Sequence, residues 1–287
     1  MSASLEPVRP TGRWRVRHWL SGLAPRRRAL IGTLLVIVLL GVIGGVIAGA
    51  VGAFKARTQP SSTSAAAPPG PVVLVPGYGG SKSALDRLAA RIRATGRDAT
   101  VLSLPGDGTG DLTVQAKTLQ TLVARKLRAG ASSVDVIGYS AGGVVVRLWL
   151  SDFGGAAEAR HVVTLGSPLH GAQIAAVGQA FVPGACPIAC QQLVPGSALL
   201  NRLNAQRLPA GVSWMSIWTI DDKTVDPPDS ARLAGATNVV AQDICPDAVI
   251  SHSGLPTDPL VTGLVLSAIT AAPIRTPTAA DCTTLRG

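Results

Sequence analysis

A serine flanked by glycines, between a strand-like run and a helix-like run, constrains this chain of 287 residues more than any other feature. The segment 138–142 reads Gly-Tyr-Ser-Ala-Gly, follows the apolar run 134–137 and precedes a mostly apolar run at 143–150. The pattern G-x-S-x-G in this context predicts a sharp strand-to-helix turn with the serine exposed at its apex. Glycines two residues to either side relieve the crowding of such a turn. We therefore interpret Ser140 as a nucleophile; an ordinary small-residue turn is the alternative.

An uncharged apolar run dominates the first part of the chain. Residues 29–54, 26 in all, are rich in Leu, Val, Ile and Gly. A membrane-spanning helix needs about 20 such residues, whereas a signal peptide has an apolar region of about 7–15. Seven arginines precede the run and only Lys55 and Arg57 follow closely, which predicts a signal-anchor behind a basic cytoplasmic tail, residues 1–28, with the rest extracytoplasmic. The alternative is a signal peptide cleaved near 48–50, which would release a secreted protein.

Positive charge is concentrated in the same part of the chain. Residues 1–57 contain nine Lys or Arg and one acidic residue, a net charge of +8, whereas residues 58–287 contain 17 basic and 15 acidic residues, a net charge of +2. The basic balance therefore indicates membrane orientation and contact with anionic lipid head groups. It does not indicate binding to nucleic acid.

All four cysteines follow the apolar run. An even number of cysteines on the oxidising side of a membrane favours disulfide bonds, and three pairings are possible. The simplest joins Cys186 to Cys190 and Cys245 to Cys282, which would tie down the C-terminal tail. A metal site is the competing interpretation, but no Cys-x-x-Cys pair or histidine cluster supports it.

Short apolar runs alternate with helical patterns after a Pro/Ser/Ala linker at residues 55–71. The strand-like runs are 72–75, 100–104, 134–137, 160–165, 213–220 and 237–241. Helical spacing of apolar residues marks 85–94, 112–129 and 258–271. This alternation predicts one α/β domain, residues 72–287, with a mostly parallel sheet of about six strands covered on both faces.

The segment 168–209 interrupts this alternation. It is longer than a usual connection, and long connections are often lids or binding loops. An ordinary crossover helix with an ordered turn is equally compatible with its sequence. If the segment forms one wall of a pocket, its apolar residues are available to line that wall: Leu169, Ile174, Val177, Phe181 and Ile188.

A serine hydroxyl needs a base, because it is a weak nucleophile on its own. Of the four histidines, His18 lies on the cytoplasmic side, His161 opens a strand and His170 follows a strand in a position to border the pocket. His252 lies in a loop after the last strand, a position suited to a base that reaches back over the sheet edge. We therefore expect His252 to be the base of Ser140.

A third group must orient the imidazole and stabilise its charged form. Acidic residues follow the fifth strand directly, and Asp222 is the first candidate, with Asp221 and Asp226 as alternatives. The chain order is then serine, acid, histidine, as in α/β-hydrolases and unlike the chymotrypsin and subtilisin orders.

Backbone donors for a developing oxyanion are expected at two places. One is the N–H of Ala141, directly after the nucleophile, and the other is the glycine-rich loop 76–80 after the first strand. A phosphate-binding loop is the alternative for that loop, but the Gly-Lys-Ser/Thr ending such a loop requires is missing.

Three motifs together resemble the small bacterial lipases and esterases of the α/β-hydrolase superfamily. They are residues 72–80, Val-Val-Leu-Val-Pro-Gly-Tyr-Gly-Gly, the segment 138–142 and residues 164–171, Thr-Leu-Gly-Ser-Pro-Leu-His-Gly. The resemblance covers residues 72 to about 271. It implies Ser140, Asp222 and His252 as the catalytic residues. It also implies the backbone N–H groups of Tyr78 and Ala141 as the oxyanion hole.

The resemblance also implies an activity. Carboxylic ester hydrolysis through an acyl-enzyme is expected, with no metal and no organic cofactor, on an ester or lipid substrate. An apolar pocket wall favours medium or longer acyl chains over acetate. The alternatives are an extracytoplasmic acyltransferase that uses the same three residues and a non-catalytic anchored binding protein on a hydrolase fold.

Overall fold

A six-stranded parallel sheet forms the centre of the computed structural model, which describes residues 69–181, 184, 186–271 and 273–287. The strands are β1 (Val72–Val75), β2 (Ala99–Val101), β3 (Val134–Tyr139), β4 (Ala159–Leu165), β5 (Ser213–Trp218) and β6 (Thr237–Val240). Their order is β2-β1-β3-β4-β5-β6, and every neighbouring pair is parallel. The predicted α/β fold with a six-stranded parallel sheet is therefore confirmed.

Helices connect the strands and cover both faces of the sheet. They are α1 (Ser83–Arg93), α2 (Leu112–Arg128), α3 (Ala141–Asp152), α4 (Gln173–Phe181), α5 (Ile188–Gln192), α6 (Ala198–Asn204), α7 (Ala241–Ile244), α8 (Pro259–Thr270) and α9 (Cys282–Arg286). Side chains of Asp111 and Asp258 cap α2 and α8, each accepting a backbone N–H of the first turn. The long helices lie within two residues of where apolar spacing predicted them.

The core is divided by the sheet into two apolar layers. Alternate residues of β1 point into different layers, because successive side chains of a strand face opposite ways. Val73 packs in the layer that contains α2 and α3, whereas Leu74 packs in the layer that contains α1 and α8. Burial on both faces explains why the strands read as continuous apolar runs rather than as alternating ones.

The segment 168–209 folds into three short helices, α4, α5 and α6, rather than one crossover helix. Its residues contact the rest of the domain through specific hydrogen bonds. The Gln192 side chain accepts the N–H of Leu112 at 2.8 Å and donates to Asp111 at 2.8 Å. The segment is thus fastened to the start of α2.

All four cysteines form disulfide bonds, Cys186–Cys190 and Cys245–Cys282. This is the pairing that the sequence suggested as simplest, and it excludes the alternative of a cysteine metal site. The second bond joins the end of α7 to the start of α9, 37 residues along the chain. Disulfides are consistent with an extracytoplasmic location.

The part of the chain that the structure describes lies within one unit, Ser61–Gly287. Within that part, no helix combines the length and apolarity needed to cross a bilayer. The predicted signal-anchor at 29–54, the tail at 1–28 and most of the linker at 55–71 fall outside the described residues. They remain predictions from sequence.

Candidate active site

Ser140 occupies a strained turn between β3 and α3. Its φ of 54° and ψ of −129° make it the one non-glycine with positive φ among the described residues. Such a conformation is rare for a residue with a side chain and is concentrated at functional sites. The turn also needs Gly142, because a Cβ there would lie 2.3 Å from the carbonyl oxygen of Val75. The turn holds the Ser140 side chain beyond the carboxyl end of the sheet.

Three predicted site residues form one chain of hydrogen bonds. His252 Nε2 lies 3.0 Å from Ser140 Oγ, and His252 Nδ1 lies 2.6 Å from Asp222 Oδ2. Asp222 is 2% exposed, and its other oxygen accepts the N–H groups of Thr224 and Val225, each at 2.8 Å. An ionised carboxylate only accepts hydrogen bonds, so Nδ1 carries the proton and Nε2 is free to accept the serine proton. This geometry can activate the Ser140 hydroxyl.

The Asp222–His252 pair passes directly over Gly166, at the end of β4. Gly166 has a φ of 51°, and a Cβ on it would lie 3.1 Å from Asp222 Oδ2 and 3.2 Å from His252 Nδ1. A side chain here would therefore crowd the Asp222–His252 pair as well as strain the backbone. Sequence reasoning did not single out Gly166. Its place directly after β4, which pairs with the strand β3 that leads to Ser140, was a usable signal.

Tyr139, the last residue of β3, contacts the backbone of His252. Burial, aided by the negative charge of Asp222, raises the pKa of its phenol to about 12. The phenol is therefore protonated at neutral pH and donates a hydrogen bond to the backbone carbonyl of His252. Sequence reasoning missed this residue, because nothing in the chain order shows that its side chain reaches a loop 113 residues away.

The two expected oxyanion donors lie at the same cavity as Ser140. Tyr78 follows β1, and the loop passes so close to the nucleophile that a Cβ on Gly77 would lie 2.8 Å from Ser140 Cβ. Ala141 is the first residue of α3, where a backbone N–H has no acceptor within the helix. Both residues therefore line the cavity beside Ser140.

An apolar cavity of about 240 Å³ opens beside Ser140. Its lining comes from the loops after β1, β3, β4 and β5 and from the segment 168–209: Tyr78, Ser140, Ala141, Pro168, Ala172, Ile174, Ala175, Cys190, Leu193, Thr224 and Val225. The segment 168–209 thus forms a wall, as expected. Ile174 is part of that wall, whereas Leu169 is fully buried in the core and Val177 and Ile188 are exposed. The Phe181 side chain lies outside the description.

The alternative acids have other partners. Asp221 accepts hydrogen bonds from the backbone N–H of Ile250 at 3.3 Å and from the Gln242 side chain at 3.2 Å. Asp226 is exposed, and its backbone carbonyl accepts the N–H of Gln173. Of the three acidic candidates, the structure brings Asp222 to the imidazole.

The alternative histidines lie away from Ser140. His161 is fully buried near Asp135, and burial together with the positive charge of Arg160 lowers its pKa to about 4. His170 is exposed, with Nδ1 3.0 Å from the carbonyl oxygen of Ser230. It borders a larger cavity of about 710 Å³ whose lining does not include the serine. His18 lies outside the described residues.

The fold and these neighbouring groups resemble those of an α/β-hydrolase, and comparisons with known proteins agree. The model of the family "Lipase (class 2)" matches residues 114–243. Aspergillus fumigatus lipase B superposes with a TM-score of 0.59 at 18% identity, over 76% of this chain and 60% of that one. The mature form of Bacillus licheniformis lipase BlEst2 gives 0.58 at 18% identity, over 70% and 91%.

The extent of these matches limits what they show. The chain spans 60% of the fungal lipase and 50% of the propeptide form of the Bacillus lipase, which superposes at 0.58 and 19% identity. A comparison with curated protein sequences found no match. At such identities the structures show the fold alone, and the family match adds a lipase-like sequence. The chain therefore has the α/β-hydrolase fold and is similar to the class 2 lipases over residues 114–243, which confirms the resemblance and supports a lipase or esterase hydrolase.

Proposed function

We propose that this protein hydrolyses carboxylic esters, with Ser140 as nucleophile, His252 as general base and acid, and Asp222 as the acid that orients it. The observation that carries the proposal is the hydrogen-bond chain from Ser140 Oγ through His252 to Asp222, at 3.0 and 2.6 Å, beside an apolar cavity. These are the distances that a base and its orienting group need.

The proposed reaction has two steps. Ser140 Oγ attacks the ester carbonyl while His252 Nε2 takes the hydroxyl proton, and the Tyr78 and Ala141 N–H groups stabilise the oxyanion. His252 then protonates the leaving alcohol, which leaves an acyl-enzyme. Water then attacks the acyl carbonyl while His252 takes one of its protons, and His252 returns that proton to Ser140 Oγ as the carboxylic acid leaves. Asp222 remains ionised throughout and stabilises the imidazolium that forms twice in each cycle.

The cavity supports an acyl chain as the substrate group bound next to Ser140. Its walls are mainly carbon, from Ile174, Ala175, Leu193 and Val225. Each methylene moved from water into such a site contributes about 0.8 kcal/mol. Medium or longer acyl esters, as in lipids, are therefore expected to react faster than acetate.

The apolar run at 29–54 supports a membrane anchor, with the hydrolase domain extracytoplasmic. Its length, its lack of charge and the arginines that precede it carry this part of the proposal. A reporter fused after Gly287 is expected to be active only if it is one that functions outside the cytoplasm. Recovery of a mature form that begins near residue 51 would show a cleaved signal peptide instead.

An activity profile tests the enzymatic proposal. Turnover of p-nitrophenyl esters from acetate to dodecanoate is measured with the full chain in detergent, with Ser140→Ala as the control for non-specific hydrolysis. We expect turnover that requires Ser140 and rises with acyl length. Turnover equal in the wild type and Ser140→Ala would contradict the proposal.

A further inference from the structure

One side chain, Gln242, joins the loop of the acid to the loop of the base. We call residues 219–222 the acid loop and residues 248–252 the base loop. Gln242 lies in α7, directly after β6, and does not line the cavity at Ser140. Its Oε1 accepts the N–H of Ile220 at 3.2 Å, and its Nε2 lies 2.9 Å from Thr219 Oγ1 and 3.2 Å from Asp221 Oδ2. Gln242 thus contacts three consecutive residues of the acid loop.

The same amide reaches the base loop. Gln242 Nε2 lies 3.0 Å from the carbonyl oxygen of Ala248. Two of its acid-loop partners continue the connection, because Thr219 Oγ1 donates to the carbonyl of Ile250 at 3.0 Å and Asp221 accepts the N–H of Ile250 at 3.3 Å. Every one of these bonds ends two to four residues before His252. The polar groups of both loops therefore converge on one half-buried side chain.

We propose that Gln242 is a positioning residue for the reaction: it fixes the base loop against the acid loop so that His252 meets Asp222 and Ser140 together. The inference rests on the proposed function of those three residues. Proton transfer tolerates errors of about 0.5 Å in such a constellation, and a misplacement of about 1 Å can cost about 10²-fold in rate. Gln suits the task because its amide both donates and accepts.

Asn238 provides a matched comparison within the same strand–helix unit. It is also half-buried, and its amide also holds a loop, by accepting the N–H of Leu233 at 2.8 Å and donating to the carbonyls of Leu233 and Ala236. That loop carries none of the proposed site residues. Removing either amide breaks a similar number of hydrogen bonds. A loss of serine reactivity that occurs in the Gln242 variant but not in the Asn238 variant therefore reports on the site and not on general stability.

The test measures how fast a fluorophosphonate labels Ser140 in the full chain. In this reaction the serine oxygen forms a bond to phosphorus, fluoride leaves, and the hydroxyl proton passes to His252. Gln242→Met keeps the length of the side chain but removes its hydrogen bonds, and we expect labelling at least tenfold slower. Asn238→Leu is expected to label within twofold of the wild type, with a similar loss of thermal stability.

A second measurement asks whether Gln242 acts through the base. In a His252→Ala background, Gln242→Met is expected to slow the residual labelling no further, because residues that act as a unit are not additive. If Gln242→Met does not fold, Gln242→Asn, which keeps the amide but shortens its reach, is expected to show a smaller slowing. The inference would be overturned if the wild type and the folded Gln242 variants were labelled equally fast. It would also be overturned if Gln242→Met slowed labelling as much in the His252→Ala background as it does in the wild type. A wild type that is not labelled would overturn the proposed function, and this inference with it.

Discussion

The phenol of Tyr139 and the imidazole of His252 pack against each other at the centre of the site. Their ring centroids are 5.2 Å apart with a tilt of 32°, and the phenol oxygen lies 3.2 Å from the backbone carbonyl of His252. One residue therefore contacts both the ring and the backbone of the proposed base. Tyr139 directly precedes Ser140, so the strand that leads to the proposed nucleophile also contacts the proposed base.

Tyr139→Phe separates the two contacts. The ring stays and the hydrogen bond to the carbonyl of His252 is lost, which is typically worth about 0.5–1.5 kcal/mol. We expect kcat for a p-nitrophenyl ester to fall roughly three- to tenfold, with KM nearly unchanged. Tyr139→Leu, which also removes the ring, is expected to lose more. A rise in KM with kcat preserved would instead assign Tyr139 to substrate binding.

The three proposed catalytic residues are expected to behave as one unit. Ser140→Ala and His252→Ala should each reduce ester turnover by about 10⁴-fold or more, and the double variant should lose little further activity. Asp222→Ala should be nearly as damaging. Folding is checked by circular dichroism for each variant.

The neighbouring acid Asp226 is the matched control for Asp222. It is exposed, and its contact in the structure is made by its backbone. Asp226→Ala is therefore expected to keep turnover within about twofold of the wild type, as is usual for exposed positions away from a site. If Asp226→Ala were the one damaging acid variant, Asp222 would not be the acid of the site.

The width of the cavity is expected to set the acyl preference. Ala175 is buried and lines the cavity, whereas its neighbour Ala176 is half-buried and does not. Ala175→Phe fills space that two or three methylenes would occupy, so kcat/KM for octanoate should fall at least tenfold, by about 0.8 kcal/mol per methylene. Acetate should change less than about threefold. Ala176→Phe should leave the ratio of kcat/KM for octanoate to kcat/KM for acetate unchanged. If that ratio fell as much as in Ala175→Phe, the effect would come from general damage to α4.

Much of the fold followed from sequence, because parallel strands buried on both faces produce apolar runs that are visible without a structure. The chain order of Ser140, Asp222 and His252 was also visible, since each follows a strand and parallel strands bring their carboxyl ends to one edge. The structure brings the side chains of these three residues together as that order suggested. Their catalytic roles stay predictions.

The supporting residues were not predictable in the same way. Tyr139 contacts a residue 113 positions along the chain, and Gln242 contacts both the acid loop and the base loop. No periodicity in the sequence reports such contacts. The predicted lining of the apolar wall was wrong in part for a related reason. Leu169 lies before α4 and packs in the core. Val177 lies on the exposed side of α4, because the starting point and phase of that short helix decide which of its side chains face the cavity. A Gly/Pro-rich segment gives no regular spacing from which to read that phase.

The two disulfides are expected to contribute unequally. Closure of the long loop by Cys245–Cys282 is worth about 4 kcal/mol in a chain-entropy estimate, against about 2 kcal/mol for the short loop of Cys186–Cys190. Replacing the first pair by serine should therefore lower the free energy of unfolding more. It should also lower turnover, because Cys245 lies three residues before the base loop. Urea unfolding and ester turnover are measured for both double-serine variants. A larger loss of unfolding free energy for the variant at 186 and 190 would contradict the prediction.

His161 should make the domain less stable in mild acid. Its imidazole is fully buried; burial and the nearby positive charges of Arg160 and Arg97 lower its pKa to about 4, against the opposing charge of Asp135. Between about pH 6.5 and 4 the unfolded chain therefore binds a proton that the folded state does not, so stability falls as the pH falls. The loss should reach about 2 kcal/mol at pH 5 and vanish above pH 7.5, where His161 is neutral in both states. Urea unfolding of the wild type and His161→Leu at several pH values measures it. The difference in free energy of unfolding between the wild type and His161→Leu should change by about 2 kcal/mol between pH 7.5 and pH 5. A difference that stays constant with pH would show that the pKa of His161 is not lowered in the folded protein.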